Sequence, residues 1–94
     1  MHMLPRVFLV AAVSLWVGMG SAATQDSRCR YADSPKYCPA LNWCCPYDMT
    51  HVCRGYRGYH EPYRRYGGGT FCVRPVSNED RADLSRNCRV FVRC

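Results

Sequence analysis

Eight cysteines crowd the stretch from Cys29 to Cys94, and their chemistry sets the first limits on this 94-residue chain. A thiol can ligate zinc, attack a substrate, or be oxidised to a disulfide. Zinc sites in small proteins use Cys-x-x-Cys pairs or spaced histidines, and neither occurs here. Catalysis needs a nucleophile beside a base. His51 and His60 sit in cysteine-framed loops with no Ser or Cys pattern around them, and the carboxylates are scattered. His51, two residues before Cys53, reads as a surface loop residue. Oxidation is what remains, so four disulfides are expected, with no metal, no cofactor and no enzymatic activity.

A second chemistry lies between Cys53 and Cys72, where four Arg and four Tyr share a segment with one acid, Glu61. Guanidinium groups contact anionic headgroups or sulfated sugars, and tyrosine rings suit an apolar–water boundary or stack on sugars. The candidate binding residues are Arg54, Tyr56, Arg57, Tyr59, Tyr63, Arg64, Arg65 and Tyr66. Arg89, Phe91 and Arg93 repeat the pattern in the tail. The tyrosines fall at helical intervals, but Gly55, Gly58 and Pro62 oppose a helix, and the segment reads as a mobile or hairpin-like loop.

These groups need a scaffold, and the start of the chain says where it works. Residues 1–22 read as a secretory signal peptide: Arg6 supplies the charge, Val7 to Val17 the apolar stretch, and Gly20-Ser21-Ala22 the small-residue cleavage site. The apolar run is shorter than the ~20 residues a membrane-spanning helix needs, so no transmembrane segment is expected in the mature chain. Residues 23–94 then form one secreted, cysteine-rich domain. It keeps twelve basic and seven acidic side chains, a net charge of +5, and every base but Lys36 is arginine. Arginine suits bidentate contact with phosphate, sulfate or carboxylate. The expected partner is an anionic membrane surface or an extracellular protein. Export keeps the chain away from RNA, so no nucleic acid is expected despite the Arg-Gly-Tyr repeats.

A domain of this size buries too little apolar surface without staples. Its large apolar residues are few, and each bridge contributes about 2–4 kcal/mol by restricting the unfolded chain. Small disulfide-rich architecture follows, with short β-strands, irregular loops and at most one short helix. Pro35, Pro39 and Pro46 leave little room for regular structure in the first half. Thr70 to Arg74 reads as a strand that begins after Gly67-Gly68-Gly69 and stops at Pro75. Ser77 is a helix N-cap with Asp80 in the capping-box position, and Ala82 and Leu84 are its apolar anchors. Arg89 to Arg93 alternates as a strand, with Val90 and Val92 on one face and Arg89, Phe91 and Arg93 on the other. The two strands are expected to pair antiparallel.

Cys44 and Cys45 are adjacent, with Cα atoms ~3.8 Å apart, so they bond elsewhere and not to each other. The order Cys29, Cys38, Cys44-Cys45, Cys53, Cys72 resembles the inhibitor cystine knot, or knottin, framework. That resemblance implies bridges 29–45, 38–53 and 44–72, leaving Cys88 for Cys94. The extended tail opposes this last pair, because it holds its two ends roughly 20 Å apart. Cys88 or Cys94 is then expected to complete the framework. The run Cys38-Pro39-Ala40-Leu41-Asn42-Trp43-Cys44-Cys45 resembles granulin modules. In composition the Arg- and Tyr-rich surface is similar to that of secreted antimicrobial peptides. The leading expectation is therefore a secreted cationic defence peptide that binds anionic surfaces. A knottin-like toxin or salivary inhibitor of a channel, receptor or protease is the first alternative. A granulin-like signalling peptide is the second.

Overall fold

A computed structural model describes residues 24–94, so the leader expected over 1–22 lies outside the described residues. Two strands open the fold, β1 (Lys36–Cys38) and β2 (Trp43–Cys45), joined by a 3-10 turn over Pro39–Leu41. Then follow β3 (His51–Arg54), a single helical turn α1 (Glu61–Arg64), β4 (Thr70–Val73), helix α2 (Asn78–Asn87) and β5 (Val90–Arg93). The first pair makes a hairpin, and the others form a three-stranded sheet in the order β4-β3-β5.

Both outer strands run antiparallel to β3, with Val52 opposite Cys72 on one side and Val92 on the other. The chain therefore passes from β4 through α2 to a parallel β5, crossing the strand between them. This reverses the expectation that the two outer strands pair with each other. The central strand went unrecognised because His51-Val52-Cys53 does not alternate. All three residues are buried, since both faces of β3 are covered.

On one face, Cys53, Phe71 and Val73 meet Leu84 of α2, Cys88 and Tyr56, with Phe91 and Tyr63 at the margin. On the other, Val52 packs with Cys38 and Cys45, flanked by Leu41, Met49, Cys72 and Val92. Each layer is thin, and the disulfides close it. Cys53–Cys88 ties β3 to the end of α2, Cys45–Cys72 ties the hairpin to β4, Cys38–Cys94 ties it to the end of β5, and Cys29–Cys44 holds the N-terminal loop. All eight cysteines are bonded.

This pairing differs from the one implied by the cystine-knot resemblance. Alternation along β2 is the reason. Cys45 points into the core and is fully buried while Cys44 is half-buried on the opposite side, so Cys45 reaches Cys72 and Cys44 reaches Cys29. The extended tail keeps Cys88 and Cys94 apart, as its strand pattern requires. Prolines proved compatible with a hairpin in the first half, since Pro39 begins the turn and Asn42 closes it with a positive φ of 52°.

Helix α2 starts where its cap places it, with the Ser77 hydroxyl accepting the Asp80 N–H at 3.0 Å. The Asp80 carboxylate reaches back one residue further than a capping box, to the Val76 N–H. Leu84 is the anchor and is fully buried, whereas Ala82 faces solvent. The C-terminal end is held by Cys88, whose N–H bonds to the Leu84 carbonyl while its sulfur holds β3.

Candidate functional site

The Arg- and Tyr-rich segment divides into an inner and an outer set. Gly55 continues the sheet on both sides, donating its N–H to the Gly69 carbonyl and accepting from the Arg89 N–H. It does so at a φ of 73°, which favours glycine, and a Cβ there would lie 2.9 Å from that of Arg89. The chain turns inward at this point. Tyr56 is buried, and its hydroxyl donates to the Asp83 carboxylate at 2.7 Å and accepts the His60 N–H. Close behind it, a Cβ at Gly58 would collide with that hydroxyl. Tyr63 is half-buried and donates to Asp80 at 2.7 Å. The two acids of α2 thus hold two tyrosines of the segment.

The rings complete the lock. Tyr56 meets Tyr63 edge to face at 5.2 Å, and Tyr63 and Tyr66 stack on Phe71 at 5.4 and 4.4 Å. Burial, helped by the Asp83 and Asp80 bonds, pushes both the Tyr56 and the Tyr63 hydroxyls above their ordinary value. Tyr56 and Tyr63 are therefore turned into the fold, where the composition suggested side chains presented at the surface. Nor is the segment a free hairpin. Pro62 is the second residue of α1, in the first turn where its missing N–H is not needed, and the Arg57 N–H bonds to the Asn87 carbonyl.

Tail residues divide likewise. Phe91 is half-buried and stacks on His51 at 4.9 Å, while Arg89 and Arg93 are exposed. His51 is thus no surface residue. Burial, with Arg81 and Arg93 nearby, holds its pKa below the usual histidine value.

The outer set is cationic. Arg57, Arg64, Arg65, Arg89 and Arg93 are exposed with Tyr59 and Tyr66, and Arg54 is half-buried against the Thr70 hydroxyl. Among the described residues only two ion pairs form, Arg28–Asp26 and Arg64–Glu61. Nine of the eleven described arginines therefore lack a carboxylate partner.

A groove that the segment's residues alone do not announce lies between the N-terminal loop, β2 and the start of β4. It encloses about 600 Å³ and is lined by Arg28, Arg30, Tyr31, Trp43, Tyr66 and Phe71, among others. Cys29–Cys44 and Cys45–Cys72 fix its walls. Arg28 bridges to Asp26 and lies 3.9 Å over the Tyr37 ring. The Arg28 hydrogen bonds hold the Asp26 carboxyl down to about 2. Tyr66 joins this groove to the predicted segment. The signal for the rest was the pair of arginines flanking Cys29 and the tryptophan beside Cys44, which only the 29–44 bridge brings together.

The fold and its surface define a small disulfide-rich α/β protein, stapled four times and rich in unpaired arginine. No helix among the described residues is long and apolar enough to cross a membrane. So many disulfides in so small a domain are typical of extracellular proteins. No family model matches the chain, and neither a curated protein nor a solved structure matches it.

Proposed function

We propose that this chain is a secreted, cationic, disulfide-stapled defence protein that acts by binding anionic microbial surfaces. The observation that carries this reading is the number of arginines without a carboxylate partner on a scaffold whose cysteines are all bonded. A guanidinium left unpaired at the surface is available for phosphate, sulfate or carboxylate, and a rigid scaffold loses little entropy on binding. Arg57, Arg65, Arg89 and Arg93 are the exposed cations of the segment and tail without an acid. With Tyr56, Tyr63 and Phe91 engaged inside the fold, adsorption by charge replaces deep insertion of a tyrosine-rich loop.

Co-sedimentation with anionic and zwitterionic vesicles, at low and physiological salt, tests this. Binding confined to anionic vesicles and weakened by salt is expected, because the Debye length contracts to about 8 Å at physiological ionic strength. Equal binding to both vesicle types, or none to either at low salt, overturns the reading. Absence of binding would turn attention to a stapled inhibitor of a channel, receptor or protease.

A further inference from the structure

We propose that the groove between the N-terminal loop, β2 and the start of β4 binds an anionic glycan, a sugar chain bearing sulfate, phosphate or uronate groups. This rests on the surface-binding reading above and names the ligand of one part of that surface.

Three aromatic residues from distant parts of the chain converge there, and all remain exposed: Tyr31 at 72%, Trp43 at 38% and Tyr66 at 41%. Exposed rings gathered in a concavity are costly unless something covers them. Sugar rings are suited to this because their C–H faces pack on aromatic faces while their hydroxyls stay hydrogen-bonded. Ser34 and Asn42 line the same groove and place polar groups among the rings. The volume of about 600 Å³ falls within the ~300–1,000 Å³ of small-ligand sites.

Charge selects the kind of sugar. Arg30 stands at the groove without a carboxylate partner, Arg28 stands beside it with its guanidinium bridged to Asp26, and no Asp or Glu is itself among the lining residues. A second concavity, beside α2, carries Glu79, Asp80 and Asp83 together with Arg74 and Arg86, a mixed lining that suits the same ligand less well. An aliphatic lipid tail is a poorer match, because the groove offers rigid rings interspersed with polar groups where a chain would need a continuous aliphatic channel. Preorganisation is built in, since Cys29–Cys44 holds the wall bearing Tyr31 and Cys45–Cys72 holds the wall bearing Phe71.

The site carries its own reporter. Trp43 is the single tryptophan of residues 23–94, which also contain all eight cysteines and every described element. The oxidised 23–94 domain would be titrated with sulfated dextran oligosaccharide, unsulfated dextran of equal length, and polyphosphate. Trp43 emission is read in each titration, with calorimetry for affinity. Sulfated dextran is expected to shift the emission saturably and to bind more tightly than polyphosphate, with unsulfated dextran weakest. Tyr31→Ala should weaken sulfated dextran about five- to tenfold, the worth of one aromatic contact, without changing polyphosphate binding or thermal stability. Polyphosphate binding as tightly as sulfated dextran, with Tyr31→Ala equal to the parent, overturns the glycan site but leaves charge-driven surface binding standing. Binding of anionic vesicles without any binding of sulfated dextran has the same meaning. Failure of both polyanions and of anionic vesicles overturns both readings.

Discussion

Replacing Tyr56 by Phe removes one oxygen atom and tests whether the Arg- and Tyr-rich segment is anchored or free. The Tyr56 hydroxyl donates to Asp83 at 2.7 Å and accepts the His60 N–H, inside a residue only 5% exposed. A hydrogen bond to a charged group contributes about 1.5–3 kcal/mol. Asp83 keeps a second partner, the Asn87 side-chain amide at 2.8 Å, so its carboxylate is not orphaned. The loss therefore falls at the lower end, about 1.5–2 kcal/mol. For a domain of this size each kcal/mol moves the melting temperature by about 4–8 °C, giving a drop of about 6–16 °C. Thermal unfolding of the oxidised protein, followed by circular dichroism, measures it. Tyr59→Phe is the control, because Tyr59 is 88% exposed and should leave stability unchanged. A double-mutant cycle with Asp83→Asn should show the two losses overlapping and not adding. If Tyr56→Phe melts with the Tyr59→Phe control, the hydroxyl is bonded to solvent. The segment is then the open loop that its composition suggested, and the reasoning from the tyrosine–aspartate latch fails.

Leu84→Ala should destabilise by about 2–5 kcal/mol, because Leu84 is fully buried and is the only apolar anchor of α2, and guanidinium unfolding would read the change. Gly55→Ala should cost more than the ~1 kcal/mol of a positive φ alone, since its Cβ would lie 2.9 Å from that of Arg89; a melting temperature equal to the parent would contradict that packing. In alkali the signs are clear. Tyr56 and Tyr63 ionise above the ordinary 10.0 when folded, so the stability they contribute is complete below pH 10 and is lost as pH rises through their folded values. Spectrophotometric titration should show two phenols ionising late, and both reverting to ordinary behaviour after reduction and unfolding. In acid the direction reverses for Asp26, whose bond to Arg28 is intact above pH 3.8 and is lost as pH falls through about 2, which a carboxyl NMR titration would follow.

Local signals in the sequence carried far and long-range ones did not. Ser77 announced the start of α2, the run 70–74 between the three glycines and Pro75 announced β4, and the alternation at 89–93 announced β5. What no local pattern contained was β3. A strand covered on both faces loses the two-residue period, and His51-Val52-Cys53 reads as an irregular stretch of loop. Once β3 is unseen, pairing β4 with β5 is the natural error. Tyr56 and Tyr63 were misplaced for a related reason. Their partners Asp83 and Asp80 lie 27 and 17 residues away, and an Arg- and Tyr-rich composition is the same for a binding loop as for a latched one. The groove depended wholly on connectivity. With Cys29 joined to Cys44 the residues Arg28, Arg30, Tyr31 and Trp43 become neighbours.

The arrangement of the four bridges has a consequence for the molecule's endurance among proteases. Cys29–Cys44 spans the early part of the domain and Cys38–Cys94 spans all the rest, and the two spans overlap. Every peptide bond from Cys29 to Cys94 therefore lies inside at least one covalent ring. A trypsin-like protease that cuts once after any of the exposed arginines in this stretch leaves a single molecule, its pieces still held in register by the sheet. A cationic protein rich in arginine is a ready substrate for such enzymes, and here every cleavage site beyond Cys29 is enclosed by topology. A nicked population would migrate intact until reduced, so one backbone scission would not by itself separate the pieces.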